Sequence, residues 1–121
     1  MPDWQPNWDD VVFDRTKAQS AIDECKLAAG ALTNVLDGLD SAHASLAADA
    51  TWAGAYRDDY DGERPLVAGE VRDARDALNQ LATAIETAAG EAAAEQSRRE
   101  ADRARWRAER EREIAQERGP R

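Results

Sequence analysis

An all-α fold, an antiparallel helical hairpin, is what this 121-residue sequence predicts, on three observations. Ala, Glu, Asp and Arg are abundant while Pro and Gly number only four and seven, a composition of helix formers with few breakers. Two long runs repeat apolar residues at alternating steps of three and four, the spacing of one face of a packed helix. Between those runs lies Ala50-Thr51-Trp52-Ala53-Gly54-Ala55, where a bulky indole and a Cβ-less residue offer a wedge and a tight backbone path. With one Phe and two Tyr, the core must come from aliphatic residues and Trp, which suits thin helical layers.

Residues 1–13 are set apart as an arm. Pro2 and Pro6 bias their predecessors toward extended backbone, and Trp4, Trp8 and Phe13 are too apolar to be left in water, so the arm either folds back on the bundle or docks on a partner. Helix 1 is expected over about 14–50, starting at Asp14 or Thr16, with Thr16-Lys17-Ala18-Gln19 matching a capping box. Its stripe is Ala18, Ile22, Cys25, Ala29, Leu32, Leu36, Leu39, His43, Leu46 and Ala50, widened by Ala21, Ala28, Val35 and Ala42. A face three positions wide in seven exceeds what a two-stranded seam needs, so helix 1 is expected to meet more than one neighbour.

The bend is placed at 51–54 and helix 2 from about 55. Tyr60, Val67, Val71, Ala74, Leu78, Leu81, Ile85, Ala88 and Ala92 share one register, with Ala68, Ala77, Ala82, Ala84 and Ala89 beside it. Pro65 cannot donate to the carbonyl four residues back, so a kink near 65 is expected, with a full break at Gly62-Glu63-Arg64 as the alternative. The hairpin thus covers 14–93. Beyond it the register passes to Glu95, Arg99, Asp102, Trp106, Glu109 and Glu113. These are not core residues by type, and 94–121 is therefore expected to project as a charged helical tail supported by pairs such as Glu95/Arg99 and Arg107/Glu111.

Through residue 95 there are 19 acidic and 7 basic side chains, and from 96 onward 6 and 9, within a net charge of −9. An acidic body is repelled by nucleic acid and anionic lipid. In the tail Arg98, Arg99, Arg103, Arg105, Arg107, Arg110 and Arg112 are interleaved with acids, so a nucleic-acid role is the least favoured reading. Trp106 is a better candidate as the anchor by which a protein partner recognises the tail. No membrane span or cleaved signal peptide is expected.

No enzyme and no cofactor or metal is expected. His43, the single histidine, has Asp40 one turn before it, but a nucleophile to complete a catalytic set is lacking. Cys25, the single cysteine, is better read as a small buried hydrophobe. Asp58-Asp59-Tyr60-Asp61-Gly62-Glu63 lacks the ligand spacing of a calcium loop. Its charges are better placed as a solvated face favourable to the helix dipole.

Helix, Trp52-Ala53-Gly54, helix, over about residues 14–93, resembles the WXG (ESAT-6-like) family of helical hairpins exported by type VII (ESX) secretion systems. The resemblance implies a homodimeric or heterodimeric four-helix bundle, with Trp52 and Gly54 at the bend and Ile22, Leu32, Leu36, Leu39, Leu46, Val71, Leu78, Leu81 and Ile85 in the partner interface. It also implies synthesis in the cytoplasm, export without a cleaved signal peptide, and contact with the secretion ATPase. The family's Tyr-x-x-x-Asp/Glu export signal is absent, since Tyr56 is followed at four by Tyr60 and Tyr60 by Arg64. A secretion substrate, or the co-secreted or chaperoning partner of one, is the expected function. An intracellular coiled-coil scaffold without an export role is the alternative.

Overall fold

The computed structural model describes residues 1–48 and 54–119, and it is helical apart from the arm and the segment ends. Helix α1 spans Arg15–Ala48 and α2 spans Ala55–Arg118. Trp52 and the rest of the expected bend before Gly54 lie outside the described residues. Two compact units are formed, one from Thr16–Glu86 and one from Met1–Arg15 with Thr87–Arg121, so α2 contributes to both.

In the first unit α1 packs against the early part of α2. Lys26 meets Glu86 at 2.9 Å, Arg64 meets Asp40 at 2.8 Å, and His43 stacks on Tyr60 with ring centroids 5.9 Å apart. Partners that run forward on one helix and backward on the other define an antiparallel pair. The core is Ile22, Cys25 and Ala82, flanked by Leu78 and Ile85, with Ala29, Leu36 and Ala68 buried as well. Both helices contribute large and small side chains: Ile22 and Leu36 with Cys25 and Ala29 from α1, and Leu78 and Ile85 with Ala68 and Ala82 from α2, and the small ones let the helices approach closely.

On α1 the expected stripe is the buried one. Ala18, Ile22, Cys25, Ala29, Leu32, Leu36, Leu39, His43 and Leu46 are all buried or half-buried. On α2 the expected register is half kept: Tyr60, Val71, Leu78, Ile85 and Ala92 face inward, while Val67, Ala74, Leu81 and Ala88 are exposed. The positions one residue on, Ala68, Arg75, Ala82 and Ala89, are turned inward in their place. At 67/68 and 81/82 the smaller side chain takes the seam, which permits close approach, and the larger is left outside it.

Asp14 precedes the first helical residue, the position where a carboxylate satisfies free N–H groups. Thr16 falls inside the first turn, and Gln19 donates forward to Asp23 at 2.9 Å rather than reaching back as a capping box would. Helix α2 runs unbroken through Pro65, so the full break at Gly62-Glu63-Arg64 does not occur. At its start Gly54 has φ of +89°, and its carbonyl accepts from the Asp58 N–H at 3.1 Å. A Cβ built there meets nothing within 4 Å. The requirement for glycine is therefore conformational, the left-handed backbone, and not a lack of room.

The second unit joins the arm to the later part of α2. Met1 lies against Glu113, Trp4 against Glu109, Asn7 against Arg103 and Val11 against Gln96, so the arm runs antiparallel to the helix. From Gln96 to Glu113 the helix rises about 26 Å, and ten residues of nearly extended chain reach about 33 Å. The lengths match only if the arm stays almost straight. Pro2 and Pro6, both buried, supply that stiffness by fixing φ.

Candidate interaction surfaces

The arm and α2 are joined by a dense set of specific contacts. Trp106, only 6 % exposed, donates its indole N–H to the Trp4 carbonyl at 2.9 Å and meets the Trp8 ring edge-on at 5.2 Å. Trp4 in turn donates to Glu109 Oε2 at 2.7 Å and carries the Arg105 guanidinium 4.3 Å from its ring centroid. Arg107 lies over Trp8 and Arg110 over Trp106. Indoles paired edge to face and capped by guanidinium groups gain both dispersion and cation–π attraction.

Nearer α1, Arg103 bonds the carbonyls of Asn7 (2.9 Å) and Asp9 (2.5 Å) and the Asp10 carboxylate (2.8 Å). Gln96 accepts from the Val11 N–H at 2.7 Å and donates to Asp10 at 2.9 Å. Asp10 is held below the usual carboxylate range by the Gln96 amide donor first and the Arg103 guanidinium second. Glu95 is likewise lowered, by hydrogen bonds from Arg98 and then Arg99. The arm is thus tied by fixed donors at one end and by stacked rings at the other.

These contacts revise the expectation for the tail. Its register does not stop being used beyond Ala93. Ala89, Ala92, Gln96, Arg99, Arg103 and Trp106 continue the three-four steps of the inward column, and each is at least half-buried. Polar residues serve there because the covering strand offers carbonyls, a carboxylate and indole N–H groups in place of leucines. Trp106, expected as an anchor for a partner, is covered by the chain's own arm. Arg105 and Arg107 stack on arm tryptophans, in addition to the helix pairs that do form, Glu95 with Arg98 and Arg99. The signal was legible as an unbroken period, but residue type argued against it.

Several large apolar side chains of the first unit are uncovered. On α1, Leu27 is 77 % exposed and Val35 also faces outward; on α2, Leu66, Val67 and Leu81 do the same. Lys26, Leu27, Gly30, Ala31, Thr33 and Asn34 line a shallow groove of about 540 Å³. Of the expected partner-interface residues, Ile22, Leu36, Leu78 and Ile85 are used within the first unit, Leu32, Leu39, Leu46 and Val71 are half-buried, and Leu81 is exposed.

Cys25 is buried in the first unit, and the His43 Nδ1 is buried without a hydrogen-bond partner among the described residues. Tyr60, rather than a nucleophile, faces the imidazole. Among the described residues no group of His, Cys, Asp or Glu is arranged to hold a metal ion, and no helix is long and apolar enough to cross a membrane. No known protein family, curated protein or solved structure matches this chain.

Proposed function

We propose that this chain is a non-enzymatic helical hairpin that works by binding other helices, as a WXG-type substrate of type VII secretion or as the co-secreted partner of one. The observation that carries the reading is the set of apolar side chains left exposed after the two helices have packed: Leu27 and Val35 on α1, and Leu66, Val67 and Leu81 on α2. A helix pair satisfied with itself keeps such residues inward. Outward, they supply the second neighbour that the three-in-seven face of α1 demands, and two hairpins sharing them form a four-helix bundle. Trp52-Ala53-Gly54 at the junction, with Gly54 in a backbone conformation that glycine favours, supports the WXG form of the reading.

Either a homodimer or a heterodimer satisfies the exposed side chains, and in a heterodimer the partner hairpin can supply the Tyr-x-x-x-Asp/Glu signal for export. The test is the mass of the purified chain in solution, alone and mixed with the product of the neighbouring gene. A dimer or a one-to-one complex that dissociates on Leu81→Asp is the expected result. A monomer in both preparations at tens of micromolar overturns it.

A further inference from the structure

The arm shows what the later part of α2 can bind. Glu109 reads an indole N–H, Trp106 reads a backbone carbonyl and stacks on a ring, Arg103 reads two carbonyls and a carboxylate, and Gln96 reads a carboxylate and a backbone N–H. Together they specify an extended segment with a tryptophan followed six residues later by an acid. Four of these groups lie on one helical column, so the strip is built by α2 alone.

The cover is also made to come off. Arg103 is well shielded, but the Asp10 carboxylate that it holds is largely in water, as are Asn7, Trp8 and Asp9. Contacts at the water edge exchange readily with solvent. Val12, between the last tie to Gln96 and the start of α1, is fully exposed. Any second copy of the chain carries the same arm, and exchange of an identical element needs no new contacts.

We infer that residues 96–109 of α2 form a docking strip for an extended tryptophan- and carboxylate-bearing segment, filled by the chain's own arm and open to the arm of a second copy whenever the resident arm lets go. Occupancy is a competition between the tethered arm, favoured by its high effective concentration, and arms in trans. The inference does not rest on the export reading or on the exposed apolar side chains. A hairpin that never pairs through Leu81 still passes or fails the following test.

The probe is a synthetic peptide of residues 1–14 with a fluorescent label at its carboxyl end, followed by anisotropy against full-length protein at low salt. Trp4→Ala with Asp10→Asn in the protein weakens the resident arm and leaves the strip intact, and the peptide is expected to bind this double variant at least tenfold more tightly than the wild type. Adding Arg103→Ala to the double variant should reverse the gain at least tenfold, and adding Gln96→Ala should reverse part of it, with helix content by circular dichroism unchanged throughout. Equal affinity for wild type and double variant, no binding to the double variant, or a gain that survives both strip substitutions overturns the inference.

Discussion

One helix, α2, is covered in two different ways, one in each compact unit. Between Ala68 and Ile85 the cover is α1 and the contact is aliphatic, with Ile22, Cys25 and Ala82 at its centre. Between Gln96 and Glu113 the cover is an extended arm, and the contact is made of indoles, guanidinium groups and carboxylates. The first cover is non-directional and cannot be removed without exposing oil to water. The second adds directional hydrogen bonds to its ring packing, and its carboxylate and carbonyl groups at the water edge return to solvent at smaller cost. The same helical period can therefore hold a permanent neighbour or an exchangeable one, according to which side chains occupy it.

The contrast breaks most visibly at Ile22. Ile22→Ala removes buried methyl groups from the thin core, at a cost of about 2–3 kcal/mol. Urea unfolding followed by circular dichroism should show a clear loss of midpoint. Trp106→Ala is expected to cost about 2 kcal/mol of arm docking through lost ring packing and the orphaned Trp4 carbonyl. Amide exchange should accelerate in residues 4–11 while Thr16–Glu86 keeps its protection; equal loss of protection in both regions would contradict the division drawn here. Gly54→Ala places a Cβ on a left-handed residue and should cost about 1 kcal/mol, read as a modest fall in melting temperature without change in the arm.

The smallest effect is on pH. Asp10 has its pKa depressed by Gln96 and Arg103 in the folded state, so its contribution is fully present above the unfolded carboxylate value near 3.8 and is lost as pH falls through the lower folded value. Acidification from pH 5 to below 3 should lower the protection of the Val11 amide relative to its intrinsic exchange rate at each pH, a change that Asp10→Asn largely removes. The Ile22 core has no such group at its centre and should not follow the same curve.

The period of α1 was readable residue by residue, because its stripe combines spacing with apolar type, and Ile22 through Leu46 face inward as the spacing asks. On α2 half of the stripe was readable, Val71, Leu78 and Ile85, while the other half lies one residue further on than expected. Val67 and Leu81 carry more hydrophobic signal than Ala68 and Ala82, yet the approach of α1 favours the smaller pair, and that approach is a property of two helices together. The arm's seat was hidden for a related reason. Arg103 looks like a solvated residue until Asn7, Asp9 and Asp10 are placed against it, and nothing local in 96–113 announces a partner about ninety positions away. Trp106 was the one flag in that stretch.

The arm also imposes an order of events on the ribosome. Its ties join residues 85 to 112 positions apart, and contacts of such long range form late in folding. Trp4 and Trp8 leave the exit tunnel first, while Trp106 and Glu109 follow only after about a hundred further residues, several seconds later at ordinary elongation rates. Through that interval the hairpin helices are already available to pair, and the two indoles remain unhoused. A nascent chain of this protein therefore exposes both indoles until residues 96–109 have followed them out, and the arm is housed only as that part of α2 is laid down.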